Sequence, residues 1–216
     1  AHISVLPIAI RPGDAIIMDQ QAHVSMQTAA QLVAIKGVPI EVVRHSNVEM
    51  VEHLIKKLKS KHNRIWYIID GVYSMYGDIA PIHELNKLME KYPCLHIYSD
   101  DAHGVGWAGK NGTGSIYEDF QFPERVMFMT TMGKSFGVIG GIAIFPNDEL
   151  YNKVQTFGGA LSYSHPLPPQ VIGVALASTR LMLTPEIEFM QSELQEKIDY
   201  CNNLLEGSDL PIMSDD

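Results

Sequence analysis

The chain has few cysteines, no strongly basic segment and no long hydrophobic run, and each absence narrows the possible functions. Its two cysteines, Cys94 and Cys201, are far apart, which fits neither a CxxC pair nor a disulfide scaffold and predicts reduced thiols in the cytoplasm. With 16 basic and 25 acidic residues the formal net charge is −9, which argues against nucleic acid or an anionic membrane surface as the main partner. The apolar runs are shorter than the roughly 20 residues of a membrane helix, so we expect no membrane span.

What the chain does contain is an alternation of short apolar segments with amphipathic ones. The apolar, β-rich segments predict strands at 15–18, 39–44, 64–69, 96–99, 125–129 and 139–145. Helical spacing of apolar residues predicts helices at 25–36, 47–59 and 82–92. Buried strands that alternate with helices indicate an α/β protein with a mainly parallel sheet covered on both faces.

The length allows one large domain and the beginning of another, since the chain has 216 residues. We predict a large domain at 1–180, incomplete at its N-terminus, and a linking helix with the start of a smaller, truncated domain at 181–216. Segment 169–205 is largely helical in pattern, and Leu210-Pro211-Ile212 resembles the beginning of a strand. We therefore expect the sequence to be the middle of a longer protein.

Polar segments follow four of the predicted strands directly, at 19–23, 70–74, 100–103 and 131–134. In parallel sheets, ligands bind outside the carboxyl ends of the strands. The convergence of these segments on one edge of the sheet predicts a binding site there.

An acid and a lysine stand out in these segments. Asp100 closes the strand-like run before it, and Lys134 lies in Thr131-Met132-Gly133-Lys134. The pair suits pyridoxal phosphate (PLP), because a lysine amine forms an imine with its aldehyde and an acid keeps the pyridine nitrogen protonated, so that the ring accepts electrons. Thr131 and Ser135 offer hydroxyls to a phosphate, and Gly133 lets the backbone approach a ligand closely.

Two glycine patterns resemble nucleotide-binding loops. The P-loop pattern around Lys134 requires a glycine where the chain has Phe128, and it must lead into a helix, whereas the following residues favour a strand. The glycine-rich segment 104–114 has too many glycines to open a helix, as the dinucleotide-binding fingerprint must. We interpret this segment as an irregular loop near the site.

The sequence alone leaves open which of two adjacent aspartates is the acid of the site. Asp101 competes with Asp100 as the acid of the site, and either could simply cap a turn. A zinc site at Asp100, Asp101 and His103 is not expected, because no second histidine or cysteine lies at ligand spacing.

Three further side chains complete the candidates. His23 could stack on a flat ring or serve as a helix-start histidine near Ser25. His103 and Ser74 could hydrogen-bond the phenolic oxygen of the cofactor, although a lone histidine is more often structural.

At these residues the chain resembles the α-oxoamine synthases, PLP enzymes of aminotransferase fold type I. The specific motif is D-x-A-H-G-x-G-x-x-G-x-x-G-x-G at 100–114, followed by T-x-G-K at 131–134. Further matching segments are 12–14, 19–25, 71–75, 77–81 and 167–169. The resemblance implies a large domain with a mainly parallel sheet of seven-stranded type and helices on both faces, followed by a smaller α+β C-terminal domain.

The resemblance also implies roles for individual residues. Lys134 would form the imine with PLP, and His23 would stack on the ring. Asp100 would hold the pyridine nitrogen in preference to Asp101, because the pairing acid lies three residues before His103.

The remaining implied contacts are to the phenolic oxygen and the phosphate of the cofactor. His103 and Ser74 would contact the phenolic oxygen, and Thr131 would hold the phosphate. Family members usually carry glutamate where this chain has Asp70. They often carry Thr-Ser where it has His165-Pro166, which makes Ser164 the substitute phosphate contact across a dimer interface.

The implied reaction is a decarboxylating condensation of an amino acid with an acyl-CoA to give an α-amino ketone, in a cytoplasmic homodimer with shared active sites. The alternatives are a fold type I aminotransferase or carbon–carbon lyase that uses no acyl-CoA, and a catalytically silent partner subunit. The presence of Lys134 argues against a silent subunit.

Overall fold

The computed structural model describes residues 1–208, which form eight α-helices and six β-strands. The helices are α1 (His2–Ala9), α2 (Val24–Ala34), α3 (Val48–Leu58), α4 (Ile82–Lys91), α5 (Asp148–Phe157), α6 (Gly159–Ser162), α7 (Pro169–Met182) and α8 (Glu186–Glu206). The strands are β1 (Ala15–Asp19), β2 (Ile40–Val43), β3 (Ile65–Asp70), β4 (Leu95–Asp100), β5 (Val126–Thr131) and β6 (Gly141–Ile144). The strand predicted at 210–212 lies outside the described residues.

The six strands form one sheet in the order β2-β1-β3-β4-β5-β6. All neighbours pair in parallel except β5 and β6, which are antiparallel. The predicted α/β class and mainly parallel sheet are therefore confirmed. The fold was expected to have a sheet of seven-stranded type, and the described residues contribute six of its strands.

Successive side chains of the central strands point to opposite faces of the sheet, as strand geometry requires. Ile17 packs with buried residues of α3 and α4, whereas Ile16 and Met18 pack on the other face with α1, α2 and α5. Because both faces are covered, β1 and β3 are apolar almost throughout and buried along their whole length. This two-sided burial explains the continuous apolar runs in the sequence.

Local signals fix the helix that follows β2. The side chain of Asn47 accepts a hydrogen bond from the N–H of Met50 at 2.8 Å, and so caps an otherwise unpaired donor of α3. Glu49 in the first turn and Lys57 in the last favour the helix dipole. The apolar stripe between them faces the core, so capping, charge and burial agree.

The last two helices follow the predicted pattern. α7 falls within the segment 169–205 expected to be helical, and α8 ends one residue beyond it. α8 begins a few residues after the predicted domain boundary at 180 and 181. That boundary stays a prediction. No helix within residues 1–208 is long and apolar enough to cross a membrane.

Candidate active site

A cavity of about 490 Å³ opens at the carboxyl edge of the sheet. Three neighbouring parallel strands end at its wall, with Asp70 on β3, Asp100 on β4 and Thr131 on β5. The loop after β5 contributes Lys134, and the start of α2 contributes His23. The predicted convergence of strand exits is thus present, because parallel strands bring their carboxyl ends to one edge.

The loop that carries Lys134 is held at both of its ends. The Thr131 hydroxyl donates to the carbonyl of Gly140 at 3.2 Å and accepts from the N–H of Gly133 at 3.0 Å. The Ser135 hydroxyl donates to the carbonyl of Val105 at 2.6 Å. These bonds turn the chain back into the antiparallel strand β6, which explains why no helix follows as a P-loop would require. They also leave Thr131 and Ser135 occupied in forming the loop, with Thr131 still in the cavity wall.

The ionisable groups around the cavity change one another's pKa values. Partial burial lowers the pKa of Lys134, while the nearby carboxylates of Asp100 and Asp70 oppose that shift. Burial raises the pKa of Asp70 to about 7, and the negative charge of Asp100 adds to the effect. A lysine with a lowered pKa holds a larger fraction of neutral amine, which is the nucleophilic form.

The two adjacent acids after β4 face different surroundings. Asp100 lines the cavity, where its Oδ1 accepts the N–H of Ala102 at 3.1 Å. Asp101 points away from it, and its carboxylate accepts the N–H and the hydroxyl of Ser115 at 2.7 and 2.8 Å. Burial raises the pKa of Asp101. The structure therefore places Asp100, the acid that the resemblance implied, in the cavity.

The glycine-rich loop encloses the side chain of Asp101. A Cβ built at Gly71, Gly104 or Gly114 would overlap the Asp101 carboxylate. Gly114 also has a φ of +115°, a conformation that other residues rarely adopt. These glycines are thus required by a buried carboxylate within the protein, and the loop is irregular as predicted.

The structure places His23 both at the start of α2 and in the cavity wall, and its stacking on a cofactor ring stays a prediction. Its Nδ1 accepts the N–H of Ser25 at 3.3 Å and lies 2.7 Å from the Ser25 hydroxyl, so the side chain caps α2. Its ring also lines the cavity, and its own N–H donates to Asp70 Oδ1 at 3.1 Å. The helix start therefore fixes the imidazole at the cavity wall.

His103 also lines the cavity, and its surroundings favour the neutral imidazole. Burial lowers its pKa, and the charge of Lys134 acts in the same direction. The carbonyl of His103 accepts the indole N–H of Trp107, which ties this residue to the glycine-rich loop.

Two predicted residues are not brought into this cavity. Ser74 lies in the exposed turn after β3, and Ser164 is exposed after α6, where its hydroxyl donates to the carbonyl of Leu161 at 3.4 Å. Neither belongs to the cavity wall of this chain. Their predicted contacts with a cofactor stay predictions.

Sequence reasoning missed His2, which lies in the cavity wall at the start of α1. Its Nε2 is 3.0 Å from Asp100 Oδ2, and its Nδ1 is 2.9 Å from the hydroxyl of Tyr98. The residue follows no motif and is far from Asp100 in the chain. The only signal was an imidazole in the first turn of a largely apolar helix.

The donor set fits PLP. One amine, two carboxyl groups, three imidazoles and several hydroxyls line this cavity. PLP carries an aldehyde, a pyridine nitrogen, a ring face, a phenolic oxygen and a phosphate, and groups of these types can meet each of them. Among residues 1–208, no group of three or more histidine, cysteine, aspartate or glutamate side chains is arranged to hold a metal ion.

Comparison with known proteins identifies the family. The sequence profile of aminotransferase class I and II matches residues 1–216. A protein from Alkaliphilus metalliredigens named 8-amino-7-oxononanoate synthase is 35% identical over 173 residues, which is 80% of this chain and 42% of that protein. One of the same name from Coprothermobacter proteolyticus is 38% identical over 146 residues, or 66% of this chain and 35% of that protein. The chain thus spans less than half the length of these relatives.

Solved structures give the same result. A serine palmitoyltransferase from Sphingomonas wittichii superposes with a TM-score of 0.80 at 26% identity, over 91% of this chain and 47% of that one. A serine palmitoyltransferase with PLP has a TM-score of 0.87 at 24% identity, over 100% of this chain and 52% of that one, and supports the fold. These similarities confirm the resemblance to the α-oxoamine synthases, and the chain belongs to the aminotransferase class I and II family.

Proposed function

We propose that the full-length protein is a PLP-dependent C-acyltransferase that condenses an amino acid with an acyl-CoA, with loss of carbon dioxide, to give an α-amino ketone. The observation that carries the proposal is the single cavity that combines Lys134 after β5 with Asp100 at the end of the neighbouring β4. The names of the relatives support the acyl transfer. One names a product with amino and oxo groups on adjacent carbons, and the other names a transfer of palmitoyl to serine.

Each wall of the cavity has a part in holding the cofactor. Asp100 would pair with the pyridine nitrogen, His23 would cover the ring, and His103 would donate to the phenolic oxygen. Thr131 would contact the phosphate by turning its hydroxyl from the carbonyl of Gly140, and Ser74 and Ser164 are the further contacts that the family resemblance implies. When bound, PLP supplies an aldehyde that reacts with amines and a ring that accepts electrons from the α-carbon of an amino acid.

The side chains then direct the chemistry. The lowered pKa of Lys134 lets its Nζ react as a neutral amine and later accept a proton from the α-carbon of the amino acid. The Asp100 carboxylate would pair with the pyridine nitrogen and favour its protonated form. His23 is fixed by its hydrogen bonds to Ser25, and so it can restrict how the substrate turns against the ring.

The first experiment is an absorption spectrum of the full-length protein with PLP, for the wild type and for Lys134→Ala. We expect a visible band in the wild type that is lost in Lys134→Ala. Lys110→Ala is the matched control, because Lys110 is exposed on the glycine-rich loop and lies outside the cavity wall. The control should keep the band.

The second step adds glycine, alanine or serine together with an acyl-CoA and measures free thiol and carbon dioxide. Release of both, dependent on Lys134, supports the acyltransferase. A Lys134-dependent band without thiol release would instead favour the aminotransferase or carbon–carbon lyase alternative, which shares Lys134 and Asp100. Absence of the band in the wild type would contradict both.

We also propose that the protein is a cytoplasmic homodimer with shared active sites. The support for a dimer is an exposed apolar stretch beside Ser164, where Phe157 is 67% and Tyr163 is 94% exposed. Large exposed apolar patches are typical of protein interfaces. The support for the cytoplasm is that Cys94 and Cys201 are both free thiols. Light scattering of the full-length protein tests the dimer.

A further inference from the structure

His2 links the acid of the cavity to a buried phenol. The imidazole lies between Asp100, 3.0 Å from its Nε2, and Tyr98, 2.9 Å from its Nδ1. Tyr98 and Asp100 are two residues apart on β4, so both side chains point to the same face of the sheet, where α1 presents His2. The three side chains form one hydrogen-bonded chain that ends in the cavity.

The direction of this hydrogen-bonded chain follows from the Asp100 carboxylate, which can only accept. Nε2 of His2, which faces the Asp100 carboxylate, must therefore carry a proton, and the Tyr98 phenol can donate its own proton to Nδ1. The phenol is fully buried, and burial raises its pKa well above the usual value, so it keeps its proton. His2 therefore donates from Nε2 to Oδ2 of Asp100.

The consequence concerns the orientation of the Asp100 carboxylate. Its Oδ1 accepts the N–H of Ala102 at 3.1 Å, and its Oδ2 accepts from His2, so both oxygens are held by donors on different elements. Donors to both oxygens fix the plane of the carboxylate. Each oxygen keeps a second lone pair, and the group still lines the cavity.

We propose that His2 is a positioning residue, locked by Tyr98 in the Nε2–H form, that holds the Asp100 carboxylate ready to pair with the pyridine nitrogen of PLP. This inference rests on the proposed function, since it assigns Asp100 a cofactor as its partner. It adds a residue outside every motif that identified the site.

The test measures the Kd of PLP for the cofactor-free full-length protein by absorbance titration. His2→Ala removes one charge-assisted donor to Asp100, and we expect binding about tenfold weaker or more. His2→Gln, whose Nε2 can replace that donor, should recover most of the affinity. Tyr98→Phe should weaken binding about threefold, since it releases the imidazole without removing it. His83→Ala, on the exposed face of α4, is the matched control.

A second readout needs no cofactor. Selective ¹⁵N labelling of histidine reports which ring nitrogen of His2 carries the proton, and we expect Nε2–H in the wild type and a changed signal in Tyr98→Phe. If the wild type shows no Lys134-dependent band, the proposed function fails, and the labelling still decides the geometry. A proton on Nδ1 would overturn the proposal, as would wild-type affinity for PLP in His2→Ala or equal losses in His2→Ala and His2→Gln.

Discussion

Two polar clusters lie at the carboxyl edge of the same sheet, and both contain aspartate and histidine. In the cavity cluster, Asp70 and Asp100 face an open space together with Lys134. In the buried cluster, Asp19 at the end of β1 is enclosed by protein. Each of its two carboxylate oxygens lies within hydrogen-bond distance of two protein donors. His45, Ser46 and Tyr67 supply three of these donors, at 3.1, 2.8 and 3.2 Å.

The difference between the clusters lies in what each acid faces, since both follow buried strands. His45 extends the buried cluster from Asp19 to Asp78, with its Nε2 2.8 Å from Asp78 Oδ2, so this imidazole has a carboxylate on each side. In the cavity cluster, by contrast, His103 and Lys134 face the open volume. Satisfied acids stabilise a fold, whereas acids that keep free lone pairs at a cavity can bind a ligand.

The largest effect is expected for Asp100→Asn, which tests the cavity cluster. The change keeps the size of the side chain and removes the charge that pairs with the pyridine nitrogen. Turnover should fall about 10²- to 10⁴-fold, in the range of a lost acid–base group. The free energy of unfolding of the cofactor-free protein should change by only about 1 kcal/mol, because one face of the carboxylate meets open space. Turnover within twofold of wild type would contradict this assignment.

The next effect is expected for Asp19→Ala, which tests the buried cluster. The change leaves the Tyr67 hydroxyl and the Ser46 N–H as buried donors without their acceptor. The free energy of unfolding should fall by about 3 to 5 kcal/mol, measured by urea denaturation. The protein that remains folded should keep its Lys134-dependent absorption band. Asp148→Ala, exposed in the first turn of α5, is the control and should cost about 0.5 kcal/mol.

The smallest effect is expected for Asp70→Asn. It tests the cavity cluster through the pH dependence of the free energy of unfolding. Because the pKa of Asp70 is raised to about 7 from 3.8, the folded cofactor-free protein binds more protons than the unfolded chain between these values. The free energy of unfolding contributed by Asp70 therefore decreases as the pH rises through this range and is constant above it.

In Asp70→Asn this slope should disappear. The amide oxygen can still accept the N–H of His23, so the loop geometry is kept. At pH 8 the variant should be more stable than the wild type by about 1 to 3 kcal/mol, and near pH 4 the two should be equal. Urea denaturation at several pH values measures this, and parallel pH profiles would show that Asp70 is ionised without cost.

The sequence predicted the cavity cluster better than the buried one. Strand exits could be located because the strands are continuous apolar runs, and parallel pairing then brings Asp70, Asp100 and Thr131 together. The motif register also favoured Asp100 over Asp101, and the structure places Asp100 at the cavity. The antiparallel direction of β6 was not predictable, since a short apolar run gives no information about its partner.

The residues that sequence reasoning missed depend on long-range packing. His2 meets Asp100 only because α1 packs across the sheet near β4, and no local pattern encodes that approach. Asp19 was placed correctly at a strand exit, but its saturation by His45 and Tyr67 comes from two other segments of the chain. Local sequence thus locates a side chain along its strand, whereas the enclosing neighbours come from elsewhere.

The glycine enclosure of Asp101 has a consequence for how this chain can vary. Gly71 follows β3, whereas Gly104 and Gly114 lie in the loop after β4, yet all three leave room for one carboxylate. An alanine at Gly71 is compatible with the fold only if residue 101 becomes smaller at the same time. At Gly104 it would also meet the Ser115 hydroxyl, and at Gly114 it would be strained by the positive φ. Chimeras with related proteins should therefore exchange positions 71, 101, 104 and 114 together.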